Sequence, residues 1–316
     1  MKTTPMNSGK PASLGGGVDS IFRVSEVVGD AWSWLVMREA VLHDVSRFAE
    51  FQTRLGIARS TLSARLTQLT AGGLLAQHHQ PRGPEYHLTA AGEDFFGCLM
   101  VAMRWGDQWH FQPDTRPLKT KHLGCGDAFE GVLRCAACHE VLQAREVTAR
   151  PPEPVVEQSR TPDVRRRTPA LELLERKRAS SIARTLTVVG DWWSTLVIRE
   201  CFFGTRRFDD FQQRLDIAPN ILSGRLRRLV ELGILEQVQL GSWPLRHEYR
   251  LTTKGFDLYH VPLAMHAWGR RWLEPARSDT YLIHKRCDRE VHAETTCGSC
   301  GATASRADVA LLPDRS

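Results

Sequence analysis

The feature that most constrains this chain is an internal repeat. Val27-Val28-Gly29-Asp30 recurs as Val188-Val189-Gly190-Asp191, 161 residues further on, and Trp105-Gly106 recurs as Trp268-Gly269, at an offset of 163. Offsets that drift by so little are expected when short loop insertions separate two copies of one unit. The sequence therefore contains one unit of about 130 residues, used twice.

The first copy carries two short helices joined by a glycine turn. In the first copy, a helix is predicted over Arg47 to Leu55, and Gly56 ends it. A second helix is predicted from near Arg59, with Leu62, Leu66 and Leu69 on one face, and Gly72-Gly73 ends it. This order predicts a helix-turn-helix.

A β-hairpin is predicted after the second helix. Leu74-Leu75 and the alternating segment Glu85 to Leu88 flank the turn sequence Pro81-Arg82-Gly83-Pro84. Thr89 then precedes a long amphipathic helix that ends near Trp109, and the second copy repeats the order with a longer turn at 241–246. A hairpin in this position is the wing of a winged helix-turn-helix.

Six of the eight cysteines form two clusters with identical spacing. Two cysteine–histidine motifs result, His122-x2-Cys125-x9-Cys135-x2-Cys138 and His284-x2-Cys287-x9-Cys297-x2-Cys300. One imidazole and three thiolates can close a tetrahedral zinc site, so we expect each copy to bind one structural zinc ion within a zinc-ribbon-like segment. His139 is an alternative ligand, which its counterpart Gly301 argues against. Cysteines that only pack or pair, and a redox switch that releases zinc, are the remaining alternatives.

The predicted fold class is α+β, mainly α: two tandem winged helix-turn-helix domains, each followed by a small zinc-ribbon-like β segment. The segment from Arg150 to Pro169 contains five prolines and the run Arg165-Arg166-Arg167, which is typical of a linker. An extra phosphate contact is the alternative role of that run. The predicted boundaries are a disordered tail at 1–17, winged helix-turn-helix domains at 18–116 and 178–277, zinc-ribbon-like segments at 117–149 and 278–316, and a linker at 150–177.

These residues resemble the HxlR family of bacterial winged helix-turn-helix regulators. The resemblance covers most of residues 21–110 and 182–272 and rests on these stretches: Gly29-Asp30-Ala31-Trp32, Leu35 to Glu39, Arg47-Phe48, Ile57 to Leu75 and Glu85 to Thr89, with Gly190 to Trp193, Arg207 to Phe211 and Glu248 to Thr252 in the second copy. It implies a sequence-specific DNA-binding repressor or activator. Relatives are usually homodimers with one domain per chain, whereas this chain carries two. Some relatives sense oxidants through a cysteine near the N-terminus, but no cysteine precedes Cys98 here.

The second helix of each motif is expected to enter the major groove of DNA. Its outward and flanking positions, together with the wing tips, give these DNA-binding candidates: Arg59, Ser60, Thr61, Ser63, Arg65, Gln68 and Arg82 in the first copy, and Asn220, Ser223, Arg225, Arg227, Arg228 and Arg246 in the second. Thr67-Gln68 in the first copy corresponds to Arg227-Arg228 in the second, so we expect the two half-sites of the DNA operator to differ. If the copies dock like a dimer, the half-sites lie about one helical turn apart (~34 Å).

Composition agrees with this interpretation. A net charge of +6 is compatible with double-stranded DNA as the partner. We expect a cytoplasmic protein without a membrane span or catalytic activity, because signal-peptide, apolar-span and common catalytic motifs are absent from the sequence. The open alternatives are a protein-interaction adaptor and a redox- or small-molecule-responsive regulator. The copies can pair within one chain or between two chains, and the repeated tryptophans can line an effector pocket, although core packing is their more ordinary role.

Overall fold

The computed structural model describes residues 20–81, 83–150, 168–240, 246–273 and 281–312. The predicted tail 1–17, Arg82 and the run Arg165-Arg166-Arg167 lie outside the described residues, as does the second wing tip at 241–245. Within the described ranges, no helix is both long and apolar enough to cross a membrane.

The first copy forms the predicted winged helix-turn-helix. Its helices are α1 (Ser20–Val28), α2 (Ala31–His43), α3 (Phe48–Leu55), α4 (Arg59–Ala71), α5 (Ala90–Asp94) and α6 (Phe96–His110). The wing pairs β1 (Leu75–Gln80) with β2 (Gly83–Leu88) in antiparallel register. The turn between α3 and α4 is made by Gly56 at a φ of 63°, a left-handed conformation that favours glycine.

The second copy has the same element order, preceded by the short helix α7 (Leu171–Leu174) within the predicted linker. Its helices are α8 (Ser181–Val189), α9 (Trp192–Phe202), α10 (Phe208–Leu215), α11 (Pro219–Glu231), α12 (Thr253–Asp257) and α13 (His260–Trp272), and its wing pairs β6 (Leu235–Leu240) with β7 (Arg246–Leu251). The tandem winged helix-turn-helix architecture predicted from the sequence is confirmed.

One helix predicted from the sequence differs from the helix in the structure. The single helix expected after Thr89 is divided into α5 and α6 at Phe95. The break places the fully buried ring of Phe95 edge-on to Trp34 and Trp268, at centroid distances of 4.9 Å and 5.7 Å. Because Trp268 belongs to the second copy, the break in the helix creates an aromatic contact between the two copies.

The two copies exchange their first helices. Helix α1 packs on α13, and α8 packs on α6. The packing is so close that a Cβ atom on Gly106 would lie 2.0 Å from the carbonyl oxygen of Ser181, and one on Gly269 would lie 2.6 Å from Cγ2 of Val24. Glycine is therefore required at both crossings, where each copy's last helix meets the other copy's first helix.

Hydrogen bonds across this interface come in matched pairs. The indole of Trp105 donates to the carbonyl of Lys254 at 3.1 Å, and that of Trp268 donates to the carbonyl of Ala91 at 2.9 Å. Asp30 and its counterpart Asp191 also form an antiparallel bridge with each other. The copies are thus related by a pseudo-two-fold axis inside one chain, with the paired tryptophans in the core.

The cysteine-bearing segments are exchanged as well. The ribbon strands are β3 (Lys119–His122), β4 (Gly131–Cys135) and β5 (Val147–Arg150) in the first copy, and β8 (Tyr281–His284), β9 (Arg289–Glu290), β10 (Ala293–Cys297) and β11 (Val309–Leu312) in the second. Strand β4 pairs with β10, β3 with β11, and β5 with β8. The β4–β10 register is centred on Leu133 opposite Thr295, two equivalent positions, so the pseudo-two-fold axis continues through the ribbons.

Candidate metal centres and nucleic-acid interface

The first candidate metal centre takes two ligands from each copy. It is formed by His122, Cys125, Cys297 and Cys300. The Sγ atoms of Cys125 and Cys297 are 3.9 Å apart, and Nδ1 of His122 lies 3.3 Å from Sγ of Cys125 and 3.4 Å from Sγ of Cys300. His122 ends β3 and Cys297 ends β10, so the exchanged strands bring these ligands together.

The second centre mirrors the first. It is formed by Cys135, Cys138, His284 and Cys287. The Sγ atoms of Cys135 and Cys287 are 3.9 Å apart, and Nδ1 of His284 lies 3.3 Å from Sγ of Cys138 and 3.5 Å from Sγ of Cys287.

These separations fit a tetrahedral zinc ion. Zn–S bonds of about 2.3 Å and Zn–N bonds of about 2.0–2.1 Å place tetrahedral ligand atoms about 3.8 Å apart for two sulfurs and about 3.5 Å apart for sulfur and nitrogen. A disulfide needs sulfur atoms about 2.05 Å apart. All eight cysteines are free thiols in the structure. The geometry therefore suits two metal ions and not disulfides.

The expectation that each copy closes its own site is wrong. The ligand types and residues are as predicted, but the structure combines the first pair of one copy with the second pair of the other. The alternative ligand His139 belongs to neither group; it is exposed in a turn with a φ of 59°. The physical reason for the exchange is the pairing of β4 with β10, which draws each Cys-x2-Cys pair across the pseudo-two-fold axis.

A carboxylate lies behind one metal-facing histidine. His284 directs Nδ1 at the thiols, and its Nε2 lies 4.0 Å from Oε2 of Glu146. Asp308 occupies the position equivalent to Glu146 in the other ribbon. Carboxylates commonly fix the orientation of a metal-binding imidazole, which is consistent with a metal on the Nδ1 side.

The outward face of each second helix is polar. Arg59, Ser60 and Ser63 are exposed on α4, and Thr61 is half-buried. Asn220, Ser223 and Arg227 are exposed on α11. Leu62, Leu66 and Leu69 are fully buried on the opposite face of α4, as are Leu222, Leu226 and Leu229 on α11. The apolar stripe therefore fixes which side chains each helix presents outward.

Two arginines predicted to bind phosphate have structural roles. Nε of Arg65 lies 2.8 Å from Oδ1 of Asp30, and Nε of Arg225 lies 2.8 Å from Oδ1 of Asp191. The Arg65 side chain is only 10% exposed. The same aspartates cap α2 and α9 by accepting backbone N–H bonds. Because buried carboxylates require a charged partner, these arginines hold the helix-turn-helix against the central aspartates.

The next pair of equivalent residues also turns inward. The Gln68 amide donates to the carbonyls of Glu26 and Val27 at 2.7 Å and 2.9 Å. Arg228 donates to the carbonyl of Thr187 at 3.1 Å. Each bond ties the second helix to the preceding exchanged helix, so Gln68 and Arg228 orient the motif. Direct DNA contact by Arg65, Gln68, Arg225 and Arg228 remains a prediction.

Two wing residues remain as predictions. Arg82 lies outside the described residues, and for Arg246 the structure describes only the backbone, paired with Leu240.

A basic segment beside the first motif was missed. Arg176 and Lys177 are exposed, and Lys177 lies so close to the α3–α4 turn that a Cβ atom on Gly56 would be 3.2 Å from its Cε. The run Arg176-Lys177-Arg178 is visible in the sequence, but it falls at the end of the predicted linker, and only the fold places it next to α4.

The two isolated cysteines lie on helices, and Cys98 is buried while Cys201 is partly buried against the core. Burial raises the pKa of the thiols of Cys98 and Cys201 well above their usual range. Both thiols therefore stay protonated and poorly nucleophilic at neutral pH.

Comparison with known proteins places these features in context. The profile of the HxlR-like helix-turn-helix family matches residues 27–114 and 188–277. An uncharacterized HTH-type transcriptional regulator of Mycobacterium tuberculosis is 40% identical over 136 residues, which span 42% of this chain and 85% of the relative. One from Synechocystis is 36% identical over 106 residues, spanning 32% of this chain and 76% of the relative. The solved structure of the redox regulator HypR in its reduced form is 30% identical, covers 29% of this chain and 92% of its own, and gives a TM-score of 0.28.

Proposed function

This chain belongs to the HxlR-like helix-turn-helix family, a family of DNA-binding regulators, and we propose that it binds one operator with both of its winged helix-turn-helix units at once. The observation that carries the proposal is the pseudo-two-fold pairing of the two units inside one chain. Dimeric helix-turn-helix proteins place two recognition helices in successive major grooves of one duplex. Here a single polypeptide supplies both helices, α4 and α11.

The two recognition helices present different chemistry at equivalent positions. Ser60 in α4 corresponds to Asn220 in α11, and Thr67 corresponds to Arg227; all four side chains are exposed. Asparagine makes bidentate hydrogen bonds to adenine and arginine to guanine, whereas serine and threonine discriminate bases less strongly. The operator is therefore two unlike half-sites, with more stringent selection in the half bound by α11.

Phosphate contacts come from cations at the edges of the recognition surface. Arg59, Arg176 and Lys177 are exposed beside α4, and Arg82 and Arg246 belong to the wing tips. Because such contacts release counterions from DNA, each one contributes about 0.9 to the slope of log K against log salt.

Zinc is the metal that suits the two crossed centres. Three thiolates and one imidazole form a closed tetrahedral set with no vacant coordination position, which is typical of structural zinc. His122, Cys125, Cys297 and Cys300 would hold one ion, and Cys135, Cys138, His284 and Cys287 the other. Each ion would then bridge the two copies and preserve the pairing that orients α4 and α11.

Selection of binding sites from random double-stranded DNA tests the proposal. The expected consensus has two unlike half-sites about one helical turn apart, bound by one chain. The variant Ser60→Asn, Thr67→Arg carries on α4 the residues of α11, so its consensus should become more symmetric. The control is Ser63→Ala. It removes an exposed polar group from α4 without introducing a residue of α11. A symmetric consensus for the unmodified chain, or no selected sequence, would contradict the proposal.

A further inference from the structure

One large cleft of the described residues is lined by both copies. It has a volume of about 840 Å³ and is enclosed by α5 and α6 of the first copy, α13 of the second copy and the ribbon at 293–308. Its apolar wall includes Phe96, Cys98, Leu133 and Trp268. A cleft of this volume falls in the range of small-molecule sites.

Side-chain size distinguishes this cleft from the equivalent positions of the other copy. Four small residues line it, and each occupies a position where the other copy has a larger side chain: Gly97 for His260, Ala264 for Val101, Ala267 for Arg104 and Ala304 for Leu142. In the second copy the His260 ring reaches the carbonyl of Leu142 at 3.0 Å and so closes the corresponding space. Smaller cavities lie beside the equivalent residues. One of about 50 Å³ lies beside Tyr259 and Ala144, the counterparts of Phe96 and Arg306, and one of about 360 Å³ lies beside Arg104 and Gly131, the counterparts of Ala267 and Ala293.

The charges around the open cleft are predominantly negative. Five carboxylates and two guanidinium groups line it: Asp44, Glu93, Asp94, Glu294 and Asp308, with Arg271 and Arg306. Both arginines are engaged by the cleft's own acids, since Arg271 lies 2.6 Å from Asp94 and Arg306 lies 3.3 Å from Asp44. The remaining excess of three carboxylates makes the cleft attractive to a cation in a protein whose overall charge is +6.

We propose that this cleft binds a small organic cation with an apolar body. The aromatic and aliphatic wall takes up the apolar part, while Glu93 and its neighbouring carboxylates attract the positive charge. Because the walls belong to both copies and to the ribbon, one bound molecule contacts all three. The proposal is independent of DNA binding, since the cleft contains none of the exposed recognition-helix residues.

Isothermal titration of the zinc-loaded full chain, without DNA, tests this site. The probe is tetraphenylphosphonium, and its matched control is tetraphenylborate, which has the same shape and the opposite charge. We expect one phosphonium per chain and at least tenfold weaker binding of the borate. Equal binding of the two ions, or no binding of the phosphonium, would overturn the proposal.

Three variants locate the binding. Ala267→Arg copies the larger residue of the other copy and should abolish phosphonium binding by filling the cleft and adding positive charge. Glu93→Gln, at an exposed position where the fold does not depend on the charge, should weaken binding about fivefold. Arg104→Ala, at the equivalent position of the other copy, should leave binding unchanged. Zinc content and melting temperature verify that each variant is folded. Retained binding in both Ala267→Arg and Glu93→Gln would refute the assignment of the site.

Discussion

The crossed metal centres make a prediction that depends on which cysteines are changed together. In the double variant Cys125→Ser, Cys297→Ser, both losses fall on one centre, so the chain should keep one zinc ion. In Cys125→Ser, Cys135→Ser, the two losses fall on different centres, so the chain should keep neither. If each copy instead closed its own site, these two outcomes would be exchanged.

The pairing of ligands from different copies also determines how much each zinc ion adds to the free energy of unfolding. The tie from Cys125 to Cys297 spans 172 residues, and that from Cys135 to Cys287 spans 152. By the chain-entropy relation for cross-links, a loop of this length contributes about 5 kcal/mol to the free energy of unfolding, against about 3 kcal/mol for a 10-residue loop within one copy. Once one long tie exists, the second closes only a short loop and adds about 3 kcal/mol. At about 2.1 cal/mol/K per residue of unfolding entropy, these contributions correspond to about 8 °C and about 5 °C in melting temperature.

Native mass spectrometry counts the zinc ions, and calorimetry measures the melting temperatures. Cys125→Ser, Cys297→Ser should melt about 5 °C below the unmodified chain, and Cys125→Ser, Cys135→Ser should melt more than 8 °C below it. Cys98→Ser, which changes a buried thiol outside both centres, is the control and should keep both ions. One ion in Cys125→Ser, Cys135→Ser, with none in the other double variant, would refute the crossed arrangement.

Arg65→Ala should lower the free energy of unfolding by about 3–5 kcal/mol in chemical denaturation, because it leaves Asp30 buried without its partner. Arg227→Ala should leave the free energy of unfolding unchanged and weaken operator binding by about 1–3 kcal/mol. Equal effects of the two variants on stability would contradict the roles assigned to these arginines. Burial raises the pKa of Asp107, which accepts a hydrogen bond from Ser181, from 3.8 to about 6. Between pH 3.8 and about 6, the folded state therefore keeps a proton that the unfolded state has released. The favourable contribution of Asp107 to the free energy of unfolding is then lost as the pH rises through 6. Asp107→Asn should therefore raise the melting temperature at pH 7, with a gain that shrinks toward pH 4; a gain that does not vary with pH would contradict this. Finally, a protease site inserted within 151–167 allows the chain to be cut between the two copies. The two halves should stay associated on gel filtration while zinc is bound, and their association should weaken after chelation. Separation of the halves with zinc present would show that the ions do not bridge the copies.

Local patterns were sufficient to predict each winged helix-turn-helix. The stripe of Leu62, Leu66 and Leu69 determines the inner face of α4, and Gly56 determines the turn before it. Both signals arise from neighbouring residues in the chain, which is why they can be recognised without a structure. The eight residues of the two cysteine–histidine clusters were predictable for the same reason.

The partners of those residues were not predictable. Both cysteine motifs have the same spacing, so the sequence contains nothing that distinguishes a site closed within one copy from a site shared between two. Likewise, Arg65 and Arg227 are both arginines on a recognition helix, but only the fold shows that Arg65 lies beside the buried carboxylate of Asp30. The grouping of the cysteine motifs and the position of Arg65 beside Asp30 both depend on contacts between residues that are far apart in the chain.

We propose that one chain is sufficient to bind a complete operator through both recognition helices. Native mass spectrometry of the zinc-loaded protein with its selected operator tests this stoichiometry. The predicted species contains one chain, two zinc ions and one duplex, and halving the operator should weaken binding without changing the number of chains. A complex with two chains per duplex, each occupying one half-site, would show that the two units of one chain do not share an operator.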